Sequence, residues 1–143
     1  MDLSRIELLL GEKAIEKLKA SKVLVVGLGG VGGITAEMLV RSGVGNIAIL
    51  DFDTIAPSNL NRQVVTTEEN IGKLKVDELA KRLKAINSKL NITTFSERLT
   101  EENIQSFNLQ DYDYIIDAID SVKDKLALIK YAKTENINII SAM

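Results

Sequence analysis

Cysteine and histidine are both missing from this chain of 143 residues, and each absence excludes a kind of chemistry. There is no cysteine, so these residues can form no disulfide, no thiolate metal site and no catalytic thiol. There is no histidine, so no imidazole can act as a general base or as a metal ligand. Any chemistry in these residues therefore depends on other side chains and on the backbone.

Aromatic residues are scarce, at 4%, so aliphatic side chains must fill most of the core. The 45% of hydrophobic and 27% of charged residues fit one globular domain. A net charge of −2 gives no reason to expect strong nucleic-acid binding by the whole surface. The sequence shows no basic leader followed by an apolar stretch, and no apolar run nears the ~20 residues of a membrane span. We therefore expect a soluble, cytoplasmic protein without a membrane partner.

Short apolar runs alternate along the chain with segments whose apolar residues recur at helical spacing. Strands separated by helices imply right-handed crossovers and a mostly parallel sheet with helices on both faces. We therefore predict an α/β, Rossmann-like fold. The predicted strands cover 22–27, 46–51, 91–95, 112–120 and 137–141. The predicted helices cover 4–20 with an interruption near Gly11, 31–43, 72–87, 100–107 and 121–136.

A glycine-rich turn, GLGGVG at 27–32, lies between the first predicted strand and the helix after it. In this context Gly27 makes the tight turn, Gly29 lets the backbone approach phosphate, and Gly32 permits close helix packing. Asp51 follows nineteen positions after Gly32, where a carboxylate accepts hydrogen bonds from ribose hydroxyls. The pattern predicts a nucleotide with phosphates. NAD and a packing-only role for the glycines remain alternatives.

The loop at 51–63, DFDTIAPSNLNRQ, is richer in polar residues than a dinucleotide dehydrogenase needs. In an extended segment Asp53 points to the same side as Asp51, so one acid can reach a ribose while the other orients a cation or the loop. Asn59 and Arg62 meet on one side if the segment forms a helical turn, and arginine suits phosphate oxygens. Lys75, at the start of the next helix, offers a second positive charge. The loop therefore favours a triphosphate.

Two acids, Asp117 and Asp120, close the fourth strand, where a carboxylate can hold Mg²⁺ between phosphates. Together with the glycine amides, Arg62 and Lys75 they supply what phosphoryl or nucleotidyl transfer requires. Each residue also has a simpler interpretation. The cations, Arg5 included, can be surface charges, Asp117 can end its strand, and Asp120 can cap the next helix.

These motifs together resemble the ThiF/MoeB/HesA superfamily, the adenylating relatives of ubiquitin-activating enzymes. They are GLGGVG at 27–32, D-x-D-T-I-x-x-S-N-x-N-R-Q at 51–63, I-G-x-x-K at 71–75 and D-A-I-D at 117–120. The resemblance implies an ATP-binding adenylation domain over residues 1–143, with N-terminal helices in 1–20 and the Rossmann-like core in 21–143. The family fold continues past Met143, so we expect a chain truncated relative to it.

The resemblance also assigns residues to an ATP site. Asp51 would bind the ribose, with Asp53 beside it. The phosphate loop would consist of Gly27, Gly29, Gly30 and Gly32. The residues that contact the phosphates would be Asn59, Arg62 and Lys75. Asp120 would organise Mg²⁺. Arg5 matches an arginine that family homodimers extend to the γ-phosphate in the partner subunit, so we expect a homodimer. The resemblance makes Arg62, Lys75, Asp120 and Arg5 the catalytic set.

The stretch 117–133, DAIDSVKDKLALIKYAK, resembles the tRNA threonylcarbamoyladenosine dehydratase branch of the superfamily. Sulfur-carrier adenylyltransferases usually show D-x-T-D-N at the start of this stretch. The resemblance implies that ATP activates the threonylcarbamoyl carboxylate on a tRNA adenosine, and that ring closure follows with net loss of water. A sulfur-relay partner such as a cysteine desulfurase is a further expectation. Adenylation of a ubiquitin-like sulfur carrier, or nucleotide binding without turnover, are the alternatives.

Overall fold

A five-stranded parallel sheet forms the centre of the structure. The computed structural model describes residues 1–142, and Met143, the last residue of the predicted domain, lies outside the described residues. The strands are β1 (Lys22–Val26), β2 (Asn46–Leu50), β3 (Asn91–Phe95), β4 (Tyr114–Asp117) and β5 (Ile139–Ser141). They lie in the order β3-β2-β1-β4-β5, and every pairing is parallel. The predicted α/β fold is confirmed.

Helices cover both faces of this sheet, and each face has its own hydrophobic core. The helices are α1 (Ser4–Leu10), α2 (Glu12–Ala20), α3 (Gly30–Arg41), α4 (Lys75–Ile86) and α5 (Val122–Thr134). One core joins the sheet to α3 and α4, and the other joins it to α5 and the segment between β3 and β4. Within residues 1–142, no helix combines the length and the apolar character needed to cross a membrane.

The prediction of a helix over 100–107 is wrong, because the chain forms only a 3₁₀ turn over Ile104–Phe107. The side chain of Asn103 explains the difference. Its Oδ1 accepts from the backbone N–H of Thr100 at 2.8 Å, and its Nδ2 donates to the carbonyl of Arg98 at 2.9 Å. A side chain that bonds the local backbone in this way competes with helical hydrogen bonds. The turn still buries the apolar side chains at its two ends.

A buried glutamate on α3 joins this helix to α4. Glu37 is 5% exposed, and its carboxylate accepts from Arg82 Nε at 2.6 Å and from Arg41 Nε at 2.9 Å. The hydrogen bond from Arg82 lowers the pKa of the Glu37 carboxyl most, burial opposes it, and the bond from Arg41 lowers it further. The carboxylate therefore stabilises the packing of the two helices in its charged form.

A second buried pair closes the carboxyl end of the sheet. Asp117, the last residue of β4, is fully buried and its Oδ2 lies 2.8 Å from Lys125 Nζ on α5. The same oxygen accepts from Ser141 Oγ at 2.6 Å, and Lys125 also donates to the carbonyl of Ala142 at 2.9 Å. Asp117 Oδ1 accepts from the backbone N–H of Ile119. One carboxylate thus ties together β4, α5 and β5.

Replacing Glu37 by glutamine should destabilise the protein by about 1–2 kcal/mol at pH 7, because the hydrogen bonds from Arg82 and Arg41 lose their negatively charged acceptor. The folded-state pKa lies below the ordinary value of 4.5, so this stabilisation is present above that value. It is lost as the pH falls through the folded-state pKa. Urea unfolding at pH 7 and pH 3 should therefore show the difference between wild type and Glu37→Gln narrowing in acid. The control is Glu16→Gln, at an exposed position of α2. If wild type and Glu37→Gln differed equally in free energy of unfolding at pH 7 and pH 3, this account would be contradicted.

Replacing Lys125 by alanine should cost about 3–5 kcal/mol, because it leaves a buried carboxylate unpaired. The double variant Asp117→Asn/Lys125→Met removes both charges and should recover a large part of this loss. Chemical denaturation measures all three proteins, with Lys130→Ala at an exposed position of the same helix as the control. A loss under 1 kcal/mol for Lys125→Ala would show that the pair does not hold this edge of the sheet.

Candidate functional site

A cavity of about 270 Å³ opens beyond the carboxyl ends of the central strands. This is the edge at which ligands bind in open α/β sheets. Its walls come from the ends of β1, β2 and β4, the loops after β2 and β3, and the first residues of α4 and α5. Six residues named by the sequence analysis line it: Gly27, Gly29, Asp51, Asp53, Lys75 and Asp120. We call this cavity the strand-end pocket.

Close backbone approach explains two of the four glycines in the turn. Gly27 has a φ of 87°, and a Cβ at this position would lie 2.5 Å from the carbonyl oxygen of Ala118. A Cβ on Gly32 would lie 1.7 Å from the carbonyl oxygen of Gly27. Neither position can accept a side chain without moving the backbone. Gly29 lines the pocket, and α3 begins directly after it at Gly30, so free N–H groups of a helix N-terminus adjoin the pocket.

The carboxylate of Asp51 braces the glycine-rich turn. It is 7% exposed, and its Oδ2 accepts from the backbone N–H of Leu28 at 2.6 Å. Its Oδ1 accepts from the backbone N–H of Asp53 at 2.8 Å. Each carboxylate oxygen has a second acceptor position, so a hydroxyl group in the pocket can still donate to Asp51. The residue therefore joins the end of β2 to the turn after β1.

Lys75 and Asp53 form an ion pair in the pocket wall, with 2.9 Å between Nζ and Oδ2. The lysine side chain is only 5% exposed, whereas that of the aspartate is 48% exposed. Lys75 is the first residue of α4, which begins there and not at residue 72 as predicted. Gly72 has a φ of 86°, and Leu74 forms an isolated bridge with Thr54 before the helix starts. This turn directs a buried cation towards the pocket.

Asn59 shapes its own loop and does not line the strand-end pocket. It is 9% exposed, and its Oδ1 accepts from the backbone N–H of Ala56 at 2.9 Å. Its carbonyl accepts from the backbone N–H groups of Arg62 and Gln63, which makes the helical turn that the sequence predicts. The structure thus gives Asn59 a role within the loop.

Arg62 is exposed and also lies outside the pocket lining. Its Nη1 donates to the carbonyl of Ser58 at 2.8 Å and to Asn61 Oδ1 at 3.0 Å. Its Cγ would lie 3.7 Å from a Cβ on Gly30, at the N-terminus of α3. The side chain therefore stands at the start of this helix with its guanidinium turned back onto its own loop.

The two acids at the end of β4, Asp117 and Asp120, have different environments. Asp117 is buried and paired, while Asp120 is exposed, lines the pocket and forms no ion pair within residues 1–142. The helix-capping interpretation of Asp120 is wrong, because Ser121 Oγ accepts from the backbone N–H of Asp124 and caps α5. Only Asp120 of the two is accessible to a ligand.

Arg5 lies on α1, away from the pocket. It is exposed, and α1 buries none of its residues. Leu8 and Leu9 on the same helix are each 82% exposed. An apolar groove of about 410 Å³ lies beside α2, between it, α3 and the β4–β5 edge of the sheet, and Leu10 contributes to its lining. Within one subunit, the structure does not bring Arg5 to the pocket.

The sequence analysis assigned no role to several pocket residues, among them Gln63 and Arg98. Gln63 is 6% exposed, lines the pocket, and its Oε1 is the one buried side-chain polar atom in residues 1–142 without a hydrogen-bond partner. An unpaired buried carbonyl is costly, so a hydrogen-bond donor in the pocket would stabilise it. Its place directly after Arg62 in the loop motif was the only signal in the sequence. Arg98 reaches the pocket from the loop after β3, and no sequence pattern marks it.

Residues 1–142 contain no group of three or more carboxylates that could hold a metal ion on their own. Magnesium bound with a nucleotide does not need such a group, since one or two carboxylates, the phosphates and waters complete its shell. Asp120 supplies one accessible carboxylate at the pocket. One accessible carboxylate at the pocket therefore fits Mg²⁺ that arrives with a nucleotide.

Known proteins are similar to this chain in both sequence and fold. The chain is 38% identical over 133 residues to the tRNA threonylcarbamoyladenosine dehydratase of Escherichia coli, which covers 93% of this chain and 50% of that protein. It is 38% identical over 126 residues to a molybdopterin-synthase adenylyltransferase of Haemophilus influenzae, which covers 88% of this chain and 51% of the relative. The chain thus spans about half the length of the curated relatives it matches.

Crystal structures of the E. coli dehydratase with ATP and with AMP both match this fold with a TM-score of 0.95 at 36% identity. They cover 97% of this chain, which corresponds to 57% and 56% of their own chains. The model of the ThiF family matches residues 3–143, which is nearly the whole sequence. This chain therefore belongs to the ThiF family.

Proposed function

We propose that the protein is an ATP-dependent tRNA threonylcarbamoyladenosine dehydratase and acts in the cytoplasm. Residues 1–143 are then the N-terminal part of its adenylation domain, with helices in 1–20 and the nucleotide-binding core in 21–143. One observation carries the proposal: the glycine turn, Lys75 and Asp120 meet at one pocket at the carboxyl edge of the sheet. The similarity to a dehydratase whose structures hold ATP and AMP supports it.

ATP would lie along the strand-end pocket with its phosphates at the N-terminus of α3 and near Lys75. Its ribose would donate to Asp51, whose oxygens retain free acceptor positions. Arg62, at the start of α3, would turn from its own loop to the phosphates, since its present partners are neutral acceptors. Gln63 Oε1 would gain a partner in the same site.

The reaction would begin when the carboxylate of the threonylcarbamoyl group attacks the α-phosphorus of ATP and displaces pyrophosphate. The resulting acyl adenylate has a good leaving group, so a nitrogen or oxygen of the same modified base can attack the carbonyl carbon. This closes the ring and releases AMP. Lys75, Arg62 and the N–H groups of α3 would stabilise the charge that develops on the phosphates. Asp120 would hold Mg²⁺, which neutralises phosphate charge when it is bound.

Adenylation of a ubiquitin-like sulfur carrier is the second candidate function. It would use the same pocket and the same attack by a carboxylate on the α-phosphorus. The similarity to a molybdopterin-synthase adenylyltransferase favours it. The sequence D-A-I-D-S at 117–121 favours the dehydratase, because it lacks the threonine and asparagine usual in carrier enzymes. These 143 residues contain no cysteine, so they provide no thiol for a sulfur relay with a desulfurase.

We further propose that two copies pair and that Arg5 of each copy serves the pocket of the other. Three observations support pairing. Arg5 is exposed on a helix that buries none of its own residues, Leu8 and Leu9 are exposed on that helix, and an apolar groove lies close by. In a twofold dimer both subunits present the same surface, so each pocket would receive one arginine.

Incubating the purified protein with ATP, Mg²⁺ and tRNA that carries threonylcarbamoyladenosine should yield the cyclised base, AMP and pyrophosphate. Mass spectrometry of the nucleosides and a pyrophosphate assay measure both products. Asp120→Asn should lower the rate on the order of a hundredfold, the size of losing one charge-stabilising group. Asp77→Asn, at an exposed position of α4 outside the pocket, should leave it unchanged.

Pyrophosphate release that depends on a ubiquitin-like carrier and not on tRNA would instead assign the second function. ATP binding without pyrophosphate release for either substrate would reduce the protein to a nucleotide-binding module and contradict the dehydratase proposal.

Mixing the variants Arg5→Ala and Asp120→Asn tests the paired site. Each variant alone should be nearly inactive, because every pocket in its dimers lacks one group. After exchange of subunits the mixture should regain about a quarter of wild-type activity, because half of the dimers are mixed and each holds one intact pocket. Dehydratase activity after co-incubation is the readout. Full activity of Arg5→Ala alone, or no recovery in the mixture, would contradict a shared site.

A further inference from the structure

Arg98 joins three elements around the strand-end pocket. It follows β3, and its guanidinium binds Asp124 near the start of α5, with Nε and Nη2 at 2.8 and 2.7 Å from Oδ2. Its Cζ also lies 5.5 Å from the centroid of the Phe52 ring, in the loop after β2. All three residues line the pocket. Arg98 therefore forms a side wall that connects the ends of two strands with a helix.

This wall has a fixed backbone. The carbonyl of Arg98 accepts from Asn103 Nδ2, and the side chain of the next residue, Leu99, is buried in the core. Asp124 is anchored too, with its side chain 6% exposed and its backbone N–H capped by Ser121. The side chains that face the pocket remain half open, at 52% exposure for Arg98 and 51% for Phe52. About half of each side chain is thus accessible to a ligand, and both side chains lie on an ordered backbone.

The order of the strands places this wall opposite the phosphate end of the pocket. The glycine turn follows β1, Asp51 follows β2, and Arg98 follows β3, which is the next strand in the sheet. Neighbouring strands are about 4.8 Å apart, so the loop after β3 starts roughly 10 Å from the turn after β1. A nucleotide with phosphates at the turn and ribose at Asp51 therefore points its base towards Arg98.

We propose that Arg98 and Phe52 form the stacking wall for the base of the bound nucleotide, and that Asp124 holds the guanidinium in the required plane. This inference rests on the proposed ATP site. The Nε–Nη2 edge of Arg98 already binds Asp124, so this edge is not available to a phosphate. The planar face of Arg98 remains available to a ligand, and guanidinium and aromatic faces both stack on bases. With the phosphates at the turn after β1, Arg98 contacts the base and not the phosphates.

Affinities of three ligands separate contacts to the base from contacts to phosphate. Calorimetry with Arg98→Ala should show ATP and AMP weakened by the same factor, about tenfold, the effect of losing one stacking partner. Inorganic tripolyphosphate, which has no base, should bind as it does to the wild type. Lys75→Ala should show the opposite pattern, with tripolyphosphate and ATP weakened more than AMP. Arg98→Lys keeps the charge without the plane and should resemble Arg98→Ala.

Arg82→Ala is the matched control, because it also removes a half-exposed arginine from a buried acid, at a position outside the pocket. It should lower the melting temperature by an amount similar to Arg98→Ala and leave all three affinities unchanged. Unchanged AMP affinity in Arg98→Ala, a parallel loss for tripolyphosphate, or full rescue by lysine would each overturn the stacking wall. A wild-type protein that binds none of the three ligands would refute the ATP site itself.

Discussion

The buried carboxylate of Asp51 is the contact on which the strand-end pocket depends. It accepts one backbone hydrogen bond from the turn after β1 and one from the loop after β2. These bonds hold the turn in a position where neither Gly27 nor Gly32 has room for a side chain. The N-terminus of α3 then faces the pocket, and the Phe52–Asp53 segment that follows the carboxylate places its ring and acid in the opposite wall. One acidic side chain thus fixes both sides of the site.

The other acids at this edge divide into structural and accessible groups. Asp117 and Asp124 are buried, and each holds a cation, Lys125 and Arg98 respectively. Of Asp117, Asp120 and Asp124, only Asp120 is exposed at the pocket. Because buried charges are costly unless they are paired, the paired acids fix the geometry and the exposed one is left for ligands. Sequence spacing gave no way to tell them apart.

The sequence was sufficient for the order of strands and helices and for the turn at 27–32, because these depend on local spacing and on glycine. It failed over 100–107, where the side chain of Asn103 replaces helical hydrogen bonds. It also could not find Arg98, whose position depends on a partner 26 residues further along the chain. Asn59 is of a residue type that can contact a ligand, but its side-chain oxygen accepts a hydrogen bond from the backbone of its own loop. A sequence pattern does not show which distant residue a side chain will pair with. It also does not show whether a polar side chain will bind a ligand or the local backbone.

The slight burial of α1 has an energetic consequence. A seven-residue helix that buries no side chain gains little from tertiary packing, and short helices are marginal in water by themselves. Its amide hydrogens should exchange with solvent at a low free energy of opening. A molecule that binds through α1 must therefore supply the conformational entropy of ordering it, so such an association is weaker than its buried area suggests and dissociates readily.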